Sequence, residues 1–145
     1  MGVLAPRVVI VRRETEFERV RAVYATAASA RFVLERKGLK LEAIEAAHAE
    51  FAAALRHARA AIPSDWRQSI IMRDEIAGFA FGPDDIVVAI GQDGLVVNVA
   101  KYLDGQTVIG VDSNPGANAG QMVRFAPADL AALLPAAAAH RLKLD

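Results

Sequence analysis

The sequence contains no cysteine among its 145 residues. This absence excludes disulfide bonds, thiolate metal sites and cysteine nucleophiles, and it is compatible with a reducing compartment. The chain also lacks an uninterrupted apolar run of the ~18 residues that a membrane span requires, and its beginning does not have the pattern of a secretory leader. We therefore expect a cytoplasmic protein with no membrane contact.

Net charge is also absent, because 17 basic residues balance 17 acidic ones. Residues 1–60 carry a small excess of positive charge, and the remaining residues carry an equal excess of negative charge. This division leaves no basic stripe of the kind that duplex nucleic acid requires, so no nucleic-acid partner is expected. With 54% apolar residues, the chain has the length and composition of one folded domain, which we predict to cover residues 1–145.

Two long helices are predicted after a first strand. Thr15 and Glu18 have the spacing of a capping box, which marks a helix start, and Gly38 marks the end of that helix. A second apolar face at helical spacing covers residues 41–62. His48 lies on this face, where a hydrogen-bonded core or interface histidine is expected rather than a metal ligand.

Four short apolar or β-branched runs predict strands separated by helices and short turns, which is typical of a parallel α/β sheet. We therefore predict an α/β fold, with a Rossmann-like open parallel sheet of about four or more strands flanked by helices and a long helical hairpin after the first strand. A helix is expected from Gly94 to Leu103, and a last helix begins near Pro127 or Asp129 and is interrupted at Pro135. The predicted strands are residues 7–13, 67–73, 86–91 and 106–112.

Residues 84–103, with the sequence DDIVVAIGQDGLVVNVAKYL, place a glycine-containing turn between the third strand and a helix. Ligands of open parallel sheets bind beyond the carboxyl ends of the strands, near helix N-termini that attract phosphate. Gly91 and Gly94 allow the backbone to approach an anion closely. Asp93 would repel a phosphate, so it either accepts a proton or holds Mg²⁺; alternatively, it only favours the helix N-terminus electrostatically.

Charged residues flank the predicted strands at both ends. Arg12 and Arg13 leave the first strand where guanidinium groups could bind phosphate, although a solvated strand end explains them equally well. Asp84 and Asp85 precede the third strand at the opposite end of the sheet, where we expect them to cap or solvate the turn.

The stretch VVAIGQDGLVVNVAKYL, followed by TVIGVDSNPGANAGQMVRF, resembles the N-terminal domain of the ATP-dependent NAD kinases. The hallmark of that family is a strand that ends in Gly-Gly-Asp-Gly-Thr, and related turns occur in diacylglycerol kinases, sphingosine kinases and phosphofructokinases. The resemblance is good over residues 84–125 and loose over the rest of the chain. It implies ATP and NAD as ligands and Mg²⁺ as cofactor.

The resemblance also implies roles for individual residues. Asp93 is the expected base for the 2′-hydroxyl of NAD, and Gly91 and Gly94 are expected to lie against nucleotide phosphates. No protein ligand to a metal is predicted. The residues expected to line the cofactor site are Gly91, Gln92, Gly94, Leu95, Asn98, Asp112, Ser113, Asn114, Arg12 and Arg13.

Two departures from the family turn lead to further hypotheses. Gln92 replaces a glycine and Leu95 replaces a threonine, and the chain ends about where the family's second, mostly β domain would begin. We therefore expect weak or no kinase activity from this chain alone, and a non-catalytic nucleotide-binding or regulatory module is the alternative. A lipid or sugar kinase-like domain is a further alternative. The oligomeric state stays open, with a homodimer compatible with the apolar helical face.

Overall fold

The computed structural model describes residues 5–91, 93–113 and 125–144, with the side chains of Asp93 and residues 140–144 left out. The described chain divides into two compact units, residues 14–53 and the remainder, and each is described by itself. The strands are β1 (Arg7–Arg12), β2 (Arg67–Met72), β3 (Ile86–Ile90) and β4 (Thr107–Val111), and the helices are α1 (Glu16–Val23), α2 (Ala27–Arg36), α3 (Leu41–Ala61), α4 (Asp93–Ala100) and α5 (Leu130–Leu144).

The larger unit contains a four-stranded, fully parallel open sheet with the strand order β2-β1-β3-β4. This confirms the predicted α/β class and Rossmann-like sheet, and each strand lies within one or two residues of its predicted bounds. The four central residues of β1 and all five of β3 are buried, as expected for strands that are covered on both faces. The edge strand β2 is mostly exposed at its start.

Alternate residues of a strand point to opposite faces of the sheet. Because the central strands carry apolar side chains on both faces, helices flank the sheet. On one face, Val9 and Val11 of β1 and Val87 and Ala89 of β3 pack in a single cluster with Leu95 of α4. Helix α5 contacts β3 and buries its Leu130 and Leu134 completely. One short 3-10 helix, Arg73–Gly78, follows β2, and another, Pro127–Asp129, precedes α5.

Helix α5 corrects one expectation, because it continues through Pro135 instead of being interrupted there. Proline inside a helix removes one backbone hydrogen bond and costs roughly 3 kcal/mol. Burying Leu130 and Leu134 completely stabilises the segment by an amount of the same order, about 1.5–3 kcal/mol for each side chain. Tertiary packing therefore outweighs the local penalty at this position.

The smaller unit, residues 14–53, has its own apolar cluster of Val20, Ala30, Leu34, Leu41 and Ile44. The predicted capping box is present, since the Thr15 hydroxyl accepts from Glu18 N at 3.1 Å and the Glu18 carboxylate accepts from Thr15 N at 2.8 Å. His48 is hydrogen-bonded as expected, with Nδ1 at 2.8 Å from the Thr15 hydroxyl oxygen. Residues of α3 from 54 onward belong to the larger unit.

The first predicted helix is in fact two helices, α1 and α2. Tyr24 has an extended backbone that ends α1, and the Thr26 hydroxyl accepts from Ser29 N at 3.0 Å and caps α2. A threonine hydroxyl that satisfies a free N–H favours a new helix start over a continuous helix. The predicted end at Gly38 is confirmed, with φ of 74° and backbone bonds from Gly38 N to Glu35 O and from Leu39 N to Leu34 O.

The apolar face of α3 is buried within the single chain at Leu41, Ile44, Phe51, Ala54 and Ala58. Periodic apolar residues on a long helix are therefore accounted for by internal packing. The homodimer stays a prediction. Among the described residues, no helix combines the length and apolar character needed to cross a membrane.

Candidate functional site at the carboxyl edge of the sheet

Strand register brings four chain exits together along one edge of the sheet. Arg12 is opposite both Met72 and Ile90, and Ile90 is opposite Val111. The next residue in each strand is then Arg13, Arg73, Gly91 or Asp112. We call these eight positions, Arg12–Arg13, Met72–Arg73, Ile90–Gly91 and Val111–Asp112, the carboxyl edge.

The strand order reverses between β1 and β3 at this edge. From β1 the chain moves to β2 on one side, and it then returns to β3 on the other side of β1. The crossover connections leave in opposite directions at such a switch point, so a crevice opens beyond the strand ends, and ligands of open α/β sheets bind there. The predicted site residues after β3 and after β4 place the expected site at the ends of these two strands. Those strands are indeed neighbours, but the reversal lies on the other side of β3.

The conformation of Gly91 explains why glycine follows β3. Its φ is +153°, a backbone conformation that side-chain-bearing residues rarely adopt, and an added Cβ would lie 3.4 Å from Leu95 Cδ2. Its N–H donates to Val111 O at 3.0 Å, which joins the turn to the end of β4. Glycine is therefore required here by the backbone, whether or not a ligand binds.

Gly94 differs from Gly91 in this respect. It is exposed in the first turn of α4, and an added Cβ would meet no atom within 4 Å. No contact within the described protein requires glycine at this position. A requirement for close approach by a ligand would explain its presence, as the sequence predicted.

Leu95 does not present its side chain to a ligand. It is only 1% exposed and packs in the core cluster beneath α4. Its apolar side chain holds α4 on the sheet. The predicted contribution of Leu95 to the site is therefore limited to its backbone N–H.

Asn98 is engaged by an arginine that sequence reasoning did not select. The end of its carboxamide lies 2.6 Å from both Nε and Nη2 of that guanidinium, and its oxygen is assigned to this side because both groups are donors. Arg73 begins the 3-10 helix after β2 and is exposed. Asn98 can therefore act on a ligand only through Arg73 or through its remaining amide group. Arg73 ends the second predicted strand as Arg12 and Arg13 end the first, and this shared position was the signal that could have identified it.

Asp112 and Ser113 follow β4. Asp112 is 6% exposed, and its N–H donates to Phe125 O at 2.8 Å beside a parallel bridge between Val111 and Phe125. Ser113 is half-buried. A buried carboxylate directly after Val111 lies next in register to Gly91, as predicted. Gln92, Asn114 and the side chain of Asp93 lie outside the described residues, and α4 begins with the backbone of Asp93.

Arg12 and Arg13 both lie at the switch point. Arg12 is half-buried, with Nε donating to Arg13 O at 3.3 Å, and Arg13 is exposed. Their position at the end of β1 places positive charge beside the turn that begins with Gly91. This arrangement suits a phosphate group, because guanidinium binds phosphate through paired hydrogen bonds.

The described residues at this edge form no cage of protein ligands for a metal ion. Within residues 5–91, 93–113 and 125–144, no group of three or more histidine, aspartate or glutamate side chains could hold a metal ion. Mg²⁺ at nucleotide sites is usually held by one or two carboxylates together with the phosphates of the substrate. The carboxyl edge fits that second pattern, with Asp112 as the described carboxylate.

The opposite end of the sheet carries an ion pair between half-buried Arg7 and buried Asp85. Arg7 donates from Nε to Asp85 Oδ1 at 3.2 Å and from Nη2 to Asp85 Oδ2 at 2.6 Å, and Asp85 also accepts from Gly82 N at 2.7 Å. The hydrogen bond to Asp85 raises the pKa of Arg7 further above its ordinary value. Asp85 therefore caps the turn as predicted, although its pairing with Arg7 was not predicted.

Comparison with known proteins adds no family to this geometry. A scan against protein-family models and a search of curated proteins both found no match for the chain. The functional argument therefore depends on the turn sequence and on the residues at the carboxyl edge.

Proposed function

We propose that this chain is a nucleotide-binding domain of the NAD kinase type, with ATP and NAD as ligands. The observation that carries the proposal is the switch point between β1 and β3, where Gly91 opens the turn into α4 beside Arg12 and Arg13. The turn sequence is shared with lipid and sugar kinases, and its combination with the second motif, TVIGVDSNPGANAGQMVRF, supports the NAD kinase type. The lack of cysteine agrees with a reducing, cytoplasmic setting.

The proposed reaction assigns one role to each part of the turn. Asp93 accepts the proton of the NAD 2′-hydroxyl, whose oxygen then bonds to the γ-phosphorus of ATP while the bond to the ADP oxygen breaks. The backbone at Gly91 and Gly94, together with the first N–H groups of α4, binds the phosphates. Arg12 and Arg13 compensate the negative charge, and Mg²⁺ binds with the nucleotide.

A direct assay tests the kinase. The chain is incubated with ATP, Mg²⁺ and NAD, and NADP is measured with a coupled dehydrogenase. Lipid and sugar acceptors are tested in parallel by following ADP, because the same turn serves those kinases. Turnover with NAD that is lost in Asp93→Asn supports the proposal, whereas turnover that persists in this variant contradicts the role of Asp93.

One observation favours the second candidate, a module that binds nucleotides without catalysis. Leu95 is fixed in the core where the related turn has a threonine, so the hydroxyl that would face the phosphates is missing. Calorimetry with ATP, NAD and NADP separates the candidates. Binding without turnover supports the module, and no binding of any of the three contradicts both proposals.

Leu95 also decides how lost activity should be restored. Leu95→Thr would place a hydroxyl in a fully buried cluster, where an unpaired polar group costs roughly 1–3 kcal/mol. Gln92→Gly is therefore the better rescue variant, because it restores the second glycine of the family turn and leaves Leu95 in place. A rise in turnover in this variant would identify Gln92 as the residue that limits catalysis.

A further inference from the structure

Arg73 is oriented by a neutral partner. Both Nε and Nη2 lie 2.6 Å from the end of the Asn98 carboxamide, whose oxygen, assigned to this side because both groups are donors, accepts from one edge of the guanidinium. A guanidinium has five N–H donors, so three stay available after this contact. The partner sets the direction of Arg73 without neutralising its charge.

Arg7 shows the contrasting case in the same unit. Its guanidinium also makes a two-point contact, but with the Asp85 carboxylate, so the pair is neutral as a whole. Two carboxylates follow Arg73 directly, yet Glu75 is turned to Met72 N at 2.8 Å and Asp74 is exposed. Among the described residues, no carboxylate lies within ion-pair distance of Arg73.

Arg73 lies on the same edge of the sheet as the arginines of the proposed site. Met72 is opposite Arg12 in the register of β1 and β2, so Arg73 follows β2 where Arg13 follows β1. Its contact with Asn98 connects it to α4, the helix that begins after the Gly91 turn. Three arginines thus leave the two strands on one side of the switch point.

We propose that Arg73 is an anion-contacting residue of this site, positioned by Asn98, and that it selects ligands with several phosphate groups. The inference rests on the proposed nucleotide function and deepens it. One phosphate group is served by the N–H groups of the α4 turn. Arg13 and Arg73 add positive charge along the edge, and a di- or triphosphate offers further phosphate groups to contact it.

Calorimetry on the 145-residue chain tests this inference, with ATP, AMP and inorganic pyrophosphate as probes at two salt concentrations. Arg73→Gln is expected to weaken binding of ATP and pyrophosphate by about tenfold or more, since hydrogen bonds to charged groups are worth roughly 1.5–3 kcal/mol and each 1.4 kcal/mol is tenfold. Binding of AMP should change less than about threefold. The salt dependence of ATP binding should also decrease in this variant.

The chain offers a matched control, because Arg59 also donates from Nε to a neutral carboxamide, Gln68 Oε1 at 3.5 Å, near the start of β2. Arg59→Gln removes the same charge away from the carboxyl edge and should leave ATP binding unchanged. Asn98→Ala keeps the charge of Arg73 but releases its orientation, so ATP binding should weaken by a few-fold and retain its salt dependence. Arg73→Lys should recover part of the affinity, and it provides a folded comparison if Arg73→Gln melts early.

Each outcome decides one claim. Equal ATP affinity in Arg73→Gln, Arg59→Gln and the unsubstituted chain overturns the role of Arg73 while the proposed function stands. An equal loss for AMP and ATP overturns the selection for several phosphates. If the unsubstituted chain binds none of the three probes and also fails to bind NAD, the proposed function and this inference fall together.

Discussion

The two ends of the sheet use arginine in opposite ways. At the amino ends of the strands, Arg7 is neutralised by Asp85, and the pair is tied to the backbone of Gly82 and Ala80. At the carboxyl ends, Arg73 is held by the uncharged amide of Asn98. The first arrangement neutralises the arginine, and the second orients an arginine that, among the described residues, has no carboxylate partner.

This difference indicates that the partner of an arginine tells more about the role of that arginine than the exposure of its side chain does. Removing one partner of a hydrogen-bonded ion pair that includes a buried carboxylate lowers the free energy of unfolding strongly. Asp85 should therefore matter mainly for folding stability. An amide partner contributes little charge stabilisation, so Asn98 should matter mainly for orientation. The predictions below separate these effects.

Removing Asp85 should give the largest loss of stability. Asp85→Ala removes the buried carboxylate that accepts from the Arg7 guanidinium and from Gly82 N at the amino end of the sheet. We expect the free energy of unfolding to fall by about 2–3 kcal/mol, at the lower end for buried ion pairs because the Arg7 side chain is 23% exposed. Urea unfolding followed by circular dichroism measures this change.

Asp65→Ala is the matched control, because Asp65 is an exposed aspartate in the turn before β2. Its effect on the free energy of unfolding should be within about 0.5 kcal/mol. Equal effects of the two substitutions would show that the Arg7–Asp85 pair does not stabilise the amino end. In that case the contrast between the two ends would lose its first half.

Gly91→Ala should cause the next largest loss of stability, because alanine rarely adopts the backbone conformation that Gly91 has at the carboxyl edge. The φ of +153° is unfavourable for alanine, and the new Cβ would lie 3.4 Å from Leu95 Cδ2. We expect a loss of about 1–3 kcal/mol in the free energy of unfolding together with a loss of ATP binding. Unchanged stability in urea unfolding would show that the turn tolerates a side chain.

The comparison also shows how far the sequence determines the fold. The strands were predictable because buried parallel strands require continuous β-branched runs such as Val8–Val11. The order of the strands was not, since pairing between β1 and β3 depends on contacts across more than 70 residues. The switch point between β1 and β3 therefore became visible only in the structure.

Local competition explains the other differences. The break between α1 and α2 depends on whether the Thr26 hydroxyl caps a new helix or stays on the face of a longer one, and the local sequence allows both. The contact between Arg73 and Asn98 joins segments far apart in sequence. The sequence motif identified the Gly91 turn, whereas the contact between Arg73 and Asn98 at the same edge could be identified only from the tertiary structure.

Gly94→Ala should separate stability from binding. An added Cβ meets no atom within 4 Å, and alanine is a better helix former than glycine, so the free energy of unfolding should rise by about 0.5 kcal/mol. If phosphate approaches the backbone here, ATP should bind about tenfold more weakly, because the Cβ occupies the ligand's space. Thermal unfolding and calorimetry measure the two effects.

The outcome for Gly94 distinguishes two readings of the turn. Higher stability with weaker ATP binding supports a ligand that contacts the start of α4. Higher stability with unchanged binding would place the phosphates nearer β1, at Arg12 and Arg13. Lower stability would contradict the open space seen beside Gly94.

The smallest expected effect concerns an exposed arginine–carboxylate pair, which provides the reference for Arg7 and Asp85. Glu42 accepts from Arg31 at 3.0–3.1 Å, with both side chains well exposed. The pKa of Glu42 is lowered, first by its own backbone N–H in the first turn of α3 and then by Arg31. The resulting stabilisation is present above the unfolded-state pKa and is lost as pH falls through the folded-state pKa.

Because the pair is exposed to water, Arg31→Gln should leave urea unfolding at neutral pH almost unchanged. A carboxyl-detected NMR titration should show the pKa of Glu42 moving only part of the way back toward its ordinary value, since the backbone N–H still favours the carboxylate. Complete recovery would assign the whole shift to Arg31. A stability loss as large as that of Asp85→Ala would show that the difference in burial does not explain the different contributions of the Arg31–Glu42 and Arg7–Asp85 pairs. The stabilising role of the Arg7–Asp85 pair would then need another cause.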